Sequence, residues 1–121
     1  MRVDMSSAKK TYSIYVIELN QKVLKIKKFR DKNPDYIEGT TCVYVGYTDK
    51  TPEERFAEHK AGMRKGPLRW HNTYAKNFGT RLKPRLFKYQ NSQNMSQPEA
   101  KDMEIEKARR LRRRGYAVWQ N

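Results

Sequence analysis

Five side chains in this sequence have the chemistry needed to hydrolyse a phosphodiester: Tyr15, Tyr44, Arg55, His59 and Glu104. Glu104 is set among Ala100, Met103, Lys107, Ala108 and Leu111, which fall on one side of a helix. A carboxylate on that largely apolar side is costly to bury unless it is paired or binds a cation. The plainer alternative is a border position that reaches water or pairs with a neighbouring arginine. Arg55 and His59 are i, i+4 neighbours and share a helix face, with Phe56, Lys60 and Met63 on the adjacent, more apolar one. Arginine holds two phosphate oxygens at once, and histidine donates a hydrogen bond or moves a proton. A surface pair without a role is the alternative. Tyr15 and Tyr44 lie on consecutive predicted strands, whose pairing would bring them close, although tyrosine also suits strands for packing alone. Gly46 at a strand end marks a bulge or a close approach.

Other chemistries lack their signatures. The sequence has no phosphate-cradling glycine loop, no serine or cysteine nucleophile motif and no His/Cys metal spacing. His71, between Trp70 and Asn72, is assigned no role. One patterned carboxylate argues against a two-metal site with bridging carboxylates and against a carboxylate-pair glycosidase.

The elements that must position these residues follow from periodicity and caps. Thr11 to Leu19 reads as a strand with apolar residues on both faces, hence central and covered on both sides. Asn20 caps a helical pattern with Val23, Leu24, Ile26 and Phe29, interleaved with lysines and broken at Asn33-Pro34-Asp35. Thr41 to Tyr47 is the second strand. Thr51-Pro52-Glu53-Glu54 is a capping box opening a helix that stops at Gly62. A further helix is expected after Gly66-Pro67, with Trp70, Tyr74 and Phe78 as its stripe and Gly79 at its end. A short third strand is expected within Arg81 to Tyr89, held to an edge by Pro84, followed by a polar loop over residues 90–97. Ser96-Gln97-Pro98-Glu99 opens the last helix, to about Arg114. Tyr116 to Trp119 reads as a short final strand or a clasp on the core. There is no internal repeat.

At 121 residues the chain is read as one domain, residues 11–121, behind a loose tail over residues 1–10. The formal net charge is +14, from 27 basic and 13 acidic residues, a field that attracts polyanions. Nucleic acid is the first candidate partner. No segment is a basic amphipathic helix with a bulky apolar face, so no membrane partner is expected. The single cysteine, Cys42, excludes an internal disulfide and a multi-Cys zinc site and is expected to be buried. No signal peptide or membrane span is read, so the expected location is cytoplasmic.

The motif order resembles the GIY-YIG nuclease family over residues 11 to about 119. The first motif is Ser13-Ile14-Tyr15 and the second Tyr44-Val45-Gly46. Arg55 falls nine residues after Gly46, His59 one turn later, and Glu104 closes the segment from Glu99. Ser13 stands where the family has glycine, residues 20–40 are an insertion between the motifs, and the asparagine many members carry after the glutamate has no match except the terminal Asn121. The resemblance implies an α+β fold: a small three-stranded, mainly antiparallel sheet flanked by helices, with a helical insertion between the first two strands. It implies a DNA endonuclease using one Mg²⁺ or Mn²⁺ ion held by Glu104 and nicking one strand per site. In that reading Tyr15, its phenol acidified by neighbouring cations, orients or deprotonates water. Tyr44 is a second positioner, and Arg55 stabilises phosphate charge with help from His59. The five residues are expected to meet in a shallow basic concavity. Lys25, Lys28, Lys60, Arg64, Arg109 and Arg113 are the expected phosphate-backbone contacts. A monomer is expected, because the surface is like-charged and no heptad seam is present, with dimerisation on DNA as the route to double-strand cutting. The competing readings are a non-cutting nucleic-acid-binding module of the same fold and an unrelated small basic α/β protein that binds RNA or a partner protein.

Overall fold

The computed structural model describes residues 10–65, 68–69, 71–88 and 94–120. The expected tail before Lys10, Gly66-Pro67, Trp70, Tyr89 and the start of the following loop, and Asn121 lie outside these residues. In chain order the elements are β1 (Ser13–Leu19), a 3₁₀ turn (Gln21–Lys25), α1 (Lys27–Asp31), β2 (Cys42–Thr48), α2 (Pro52–Ala61), β3 (Arg64–Lys65), β4 (Leu68–Arg69), α3 (Thr73–Phe78), β5 (Gly79–Leu82), a 3₁₀ turn (Pro84–Leu86), α4 (Gln97–Arg113) and β6 (Ala117–Gln120).

The main sheet has four strands, in the order β5-β1-β2-β6, and not the expected three. β1 and β2 pair antiparallel over their whole length, from Ser13 opposite Thr48 to Leu19 opposite Cys42. β5 adds antiparallel to β1, and β6 adds parallel to β2, with Cys42 opposite Ala117. A parallel neighbour needs a long crossover, and α4 ends just before β6 and packs on the sheet. The short terminal apolar run therefore becomes an edge strand. β3 and β4 form a separate two-stranded ribbon. β1 is central, as its apolar run over both faces requires: Ile14, Tyr15, Val16 and Ile17 are all buried.

Cross-strand partners share a face, so Tyr15, Ile17, Tyr44 and Gly46 point the same way. Trp119, opposite Tyr44, extends that face. Phe29 of α1 and Tyr74 of α3 cover Trp119, with ring centroids 6.4 and 4.5 Å away. The expected single helix after Asn20 is instead a 3₁₀ turn followed by the short α1. Asn20 does cap it, accepting from the Lys22 amide at 2.9 Å, but Ile26 is extended and splits the two pieces. Only Val23 and Phe29 of this stretch are buried, too narrow a stripe to sustain one continuous helix.

Asn33, read from the sequence as a breaker, is a buried clamp. Its side chain accepts from the Val118 amide at 2.7 Å and from Arg112 Nε at 3.2 Å. It donates to the carbonyls of Phe29 at 2.8 Å and Val118 at 3.1 Å. The insertion is thereby tied to β6 and to α4.

Both capping boxes form, at Thr51/Glu54 and at Ser96/Glu99. Gly62 closes α2 in the left-handed region, at φ 66°, where a side chain would be strained. α3 starts later than expected, at Thr73. β5 ends before Pro84, which cannot donate to a ladder and begins a 3₁₀ turn. No helix among the described residues is long and apolar enough to cross a membrane.

Candidate functional site

Tyr15 and Tyr44 meet on the covered face of the sheet, with ring centroids 6.1 Å apart. The register requires Gly46: a methyl group there would lie 2.5 Å from Tyr15 Oη. His59, one turn beyond Arg55 on α2, stands over both rings, 6.1 Å from Tyr15 and 5.5 Å from Tyr44. Tyr15 Oη and His59 Nε2 are hydrogen-bonded at 2.8 Å. All three side chains are 0% exposed. The adjacent face of α2, expected to be the more apolar one, is the less buried: Phe56 is half-buried and Lys60 exposed, and Met63, also exposed, lies beyond the helix end.

The direction of the Tyr15–His59 bond follows from His59's other nitrogen. The backbone amide of Asn72 reaches His59 Nδ1 at 2.9 Å, and an amide can only donate. Nδ1 therefore carries no proton, and the neutral ring bears its hydrogen on Nε2 and donates it to Tyr15 Oη. Burial, with the charges of Arg55 and His71, pushes the His59 pKa down to about 3, so the ring is neutral. Asn72 was not singled out from the sequence. Its type before a helical pattern signals an N-cap, and its side chain does cap α3, bonding the amides of Tyr74 and Ala75. The amide contact to His59 had no sequence signal.

The phenols are not acidified. Burial pushes Tyr15 up to about 12, outweighing the charge of Arg55 and the nearby Tyr44 hydroxyl. Tyr44 is raised well above its ordinary value by burial and by the charges of Tyr15 and Glu104. The expectation of a cation-acidified Tyr15 is corrected accordingly, because desolvation in a closed core exceeds one guanidinium's attraction.

Arg55 is half-buried and donates to Glu58 at 3.0 Å. Glu58, 8% exposed, is also held by Lys50. Burial alone would raise the Glu58 carboxyl; the hydrogen bonds and charges of Lys50 and Arg55 outweigh it and hold it below the usual range. Glu58 was likewise missed, although its position three residues after Arg55 was a readable signal.

Glu104 is 1% exposed, so it does not reach water at a border. It forms no ion pair among the described residues, and its Oε2 is buried without a hydrogen-bond partner. Tyr44 Oη also lacks a partner in good hydrogen-bonding geometry, although the Tyr15 hydroxyl lies near enough to act on it. Burial pushes the Glu104 carboxyl up to about 7 against the weaker pull of Lys101. Its negative charge acts on both Tyr15 and Tyr44. Helical spacing predicts an inward Glu104, and α4 does bury it.

The concavity differs from expectation. An open groove of ≈ 600 Å³ lies at the start of β1, the end of β2 and α2, and of the five candidate residues it includes Arg55 alone. Tyr15, Tyr44 and His59 form a closed cluster, and Glu104 is buried as they are. The expected phosphate contacts lie on several elements. Arg64 lines the groove. Lys28 sits 5.7 Å from the Trp119 ring, and Lys25 is exposed on the insertion. Arg109 and Arg113 line a separate depression with Gln120. Lys60, exposed on α2, donates its Nζ to the carbonyls of Lys76 at 2.8 Å and Gly79 at 2.9 Å. No protein-family model, curated protein or solved structure matches this chain.

Proposed function

We propose that this chain is a metal-dependent DNA endonuclease of the GIY-YIG kind, nicking one strand per site. The observation that carries the reading is the buried Glu104 carboxylate, whose Oε2 has no hydrogen-bond partner and whose charge reaches both Tyr15 and Tyr44. Such a group lowers stability unless a cation satisfies it. The donor set suits a hard divalent ion. No cluster of three or more acidic, histidine or cysteine side chains exists among the described residues, so Glu104 would hold an ion that takes its other ligands from water and substrate. When bound, Mg²⁺ or Mn²⁺ supplies Lewis-acid polarisation of the phosphate.

The protein's own groups do the rest. Arg55, already facing the groove, exchanges Glu58 for a phosphate oxygen and stabilises developing charge. His59 has no free nitrogen to take a proton. It donates to Tyr15 Oη and so fixes the phenol that would orient the attacking water. Both phenols are sealed from solvent, and the groove that Arg55 lines is where substrate would approach.

That closure favours one second reading, a non-cutting nucleic-acid-binding module in which the cluster is only core. Supercoiled plasmid with Mg²⁺ or Mn²⁺ separates the two. Nicked circles should precede linear product, Glu104→Ala should abolish nicking, and Arg55→Ala should slow it about 10²-fold or more. Undiminished nicking by Glu104→Ala defeats the proposal. DNA binding with no nicking under either cation supports the second reading.

A further inference from the structure

The open groove beside the closed cluster has a composition of its own. Tyr12 and Tyr47 form part of it with their rings at 88° and centroids 5.9 Å apart. In such an edge-to-face pair one ring offers only its edge to the other, so its own face is not consumed by the partner. Both residues are half-buried, which fixes the platform while leaving part of it open. Lys10, Lys50, Arg55 and Arg64 stand around it.

The two acidic lining residues are each neutralised in place. Asp49 pairs with Lys10 at 3.3 Å, and Glu58 pairs with Lys50 and Arg55. The Lys10–Asp49 pair is exposed, with Lys10 71% accessible, and such pairs yield easily to a phosphate.

The volume sets the scale. A groove of ≈ 600 Å³ falls in the range of about 300–1,000 Å³ for single small-ligand sites. That suits a nucleotide and is far too small for a duplex. A paired base has both faces stacked on its neighbours, so only an unpaired base can lie on a tyrosine face. We propose that this groove binds one unpaired nucleotide of a nucleic-acid strand, its base stacked on the Tyr12–Tyr47 pair and its phosphates on Lys10, Lys50 and Arg64. Every base has an aromatic face, so the site selects an unpaired nucleotide over a paired one without selecting sequence. Because Arg55 borders both groove and cluster, the bound nucleotide would deliver its phosphodiester to the proposed cleavage site; this last step rests on the nuclease reading.

The test uses the full chain carrying Glu104→Ala, in chelator, so that nothing is cut. The probes are a fully paired duplex and the same duplex with one bulged 2-aminopurine, followed by titration and by 2-aminopurine quenching. The bulged duplex should bind about tenfold more tightly than the paired one, with the bulge quenched. Adding Tyr12→Leu should lose that preference while leaving paired-duplex affinity unchanged, and Tyr12→Phe should retain it. Equal binding of the two duplexes, or loss of preference in the phenylalanine variant, overturns the proposal. The nuclease reading is judged separately, by nicking with metal: a chain that nicks without preferring the bulge defeats the groove alone, and one that prefers the bulge without nicking defeats the nuclease reading alone.

Discussion

Glutamine at position 104 keeps the shape of the buried face of α4 and removes its ionisable group. In the native chain, burial moves the Glu104 carboxyl from the ordinary 4.5 to about 7. Below the lower value the group is protonated in both folded and unfolded states and contributes no pH dependence. Between the two values the unfolded chain releases the proton and the folded chain holds it, so rising pH favours unfolding by about 1.4 kcal/mol per pH unit. The loss is complete above the folded value, at roughly 3 kcal/mol. Glu104→Gln cannot lose stability this way. Its amide brings donors of its own, which cost about 1 kcal/mol if unmatched. The variant should therefore be no more stable than the native chain at about pH 4, and more stable by about 2 kcal/mol at about pH 8. In a chain of this size that is a rise in Tm of about 8 °C. Denaturation in chelator at both pH values measures the difference. Restoring Mg²⁺ or Mn²⁺ at the higher pH should stabilise the native chain and leave the glutamine variant unmoved, since a ligand stabilises only the state that binds it. A variant less stable than the native chain at both pH values would refute the reasoning, for it would mean that Glu104 is ionised and satisfied within the fold.

Further outcomes follow from the same geometry. Gly46→Ala should cost about 1–3 kcal/mol, because its methyl group meets Tyr15 Oη at 2.5 Å and Tyr15 is held by His59; denaturant unfolding checks this. ¹⁵N NMR should find His59 neutral, with its proton on Nε2 and no titration near the ordinary 6.5, since its folded value is about 3. The same depression makes His59 a source of acid instability: its contribution is complete above 6.5 and is lost as pH falls toward about 3, a trend His59→Gln should flatten in acid denaturation. DNA affinity, measured by anisotropy, should fall steeply between low and moderate salt, as a net charge of +14 and counterion release require; a flat response would remove phosphate binding from the account.

The sequence by itself determined what is local. The capping boxes at Thr51 and Ser96, the stop at Gly62, the two long strands and the buried side of α4 were all legible, because each depends on residues within a few turns of one another. The inward position of Glu104 was legible for the same reason: helical periodicity places it between Ala100 and Ala108 whatever the helix packs against. The final strand was offered only as one of two readings of Tyr116 to Trp119, and its place in the sheet was not legible, because its parallel partner is set by where α4 delivers the chain. Nor was the clamp at Asn33, whose partners on β6 and α4 lie far along the sequence. The tertiary structure also decided the chemistry of the site. Whether Tyr15 meets solvent, which nitrogen of His59 carries its proton and whether Glu104 has a partner are matters of solvation and of single hydrogen bonds between distant segments. Residue type supplies the donors and acceptors; only packing decides which of them meet and how much water remains between them.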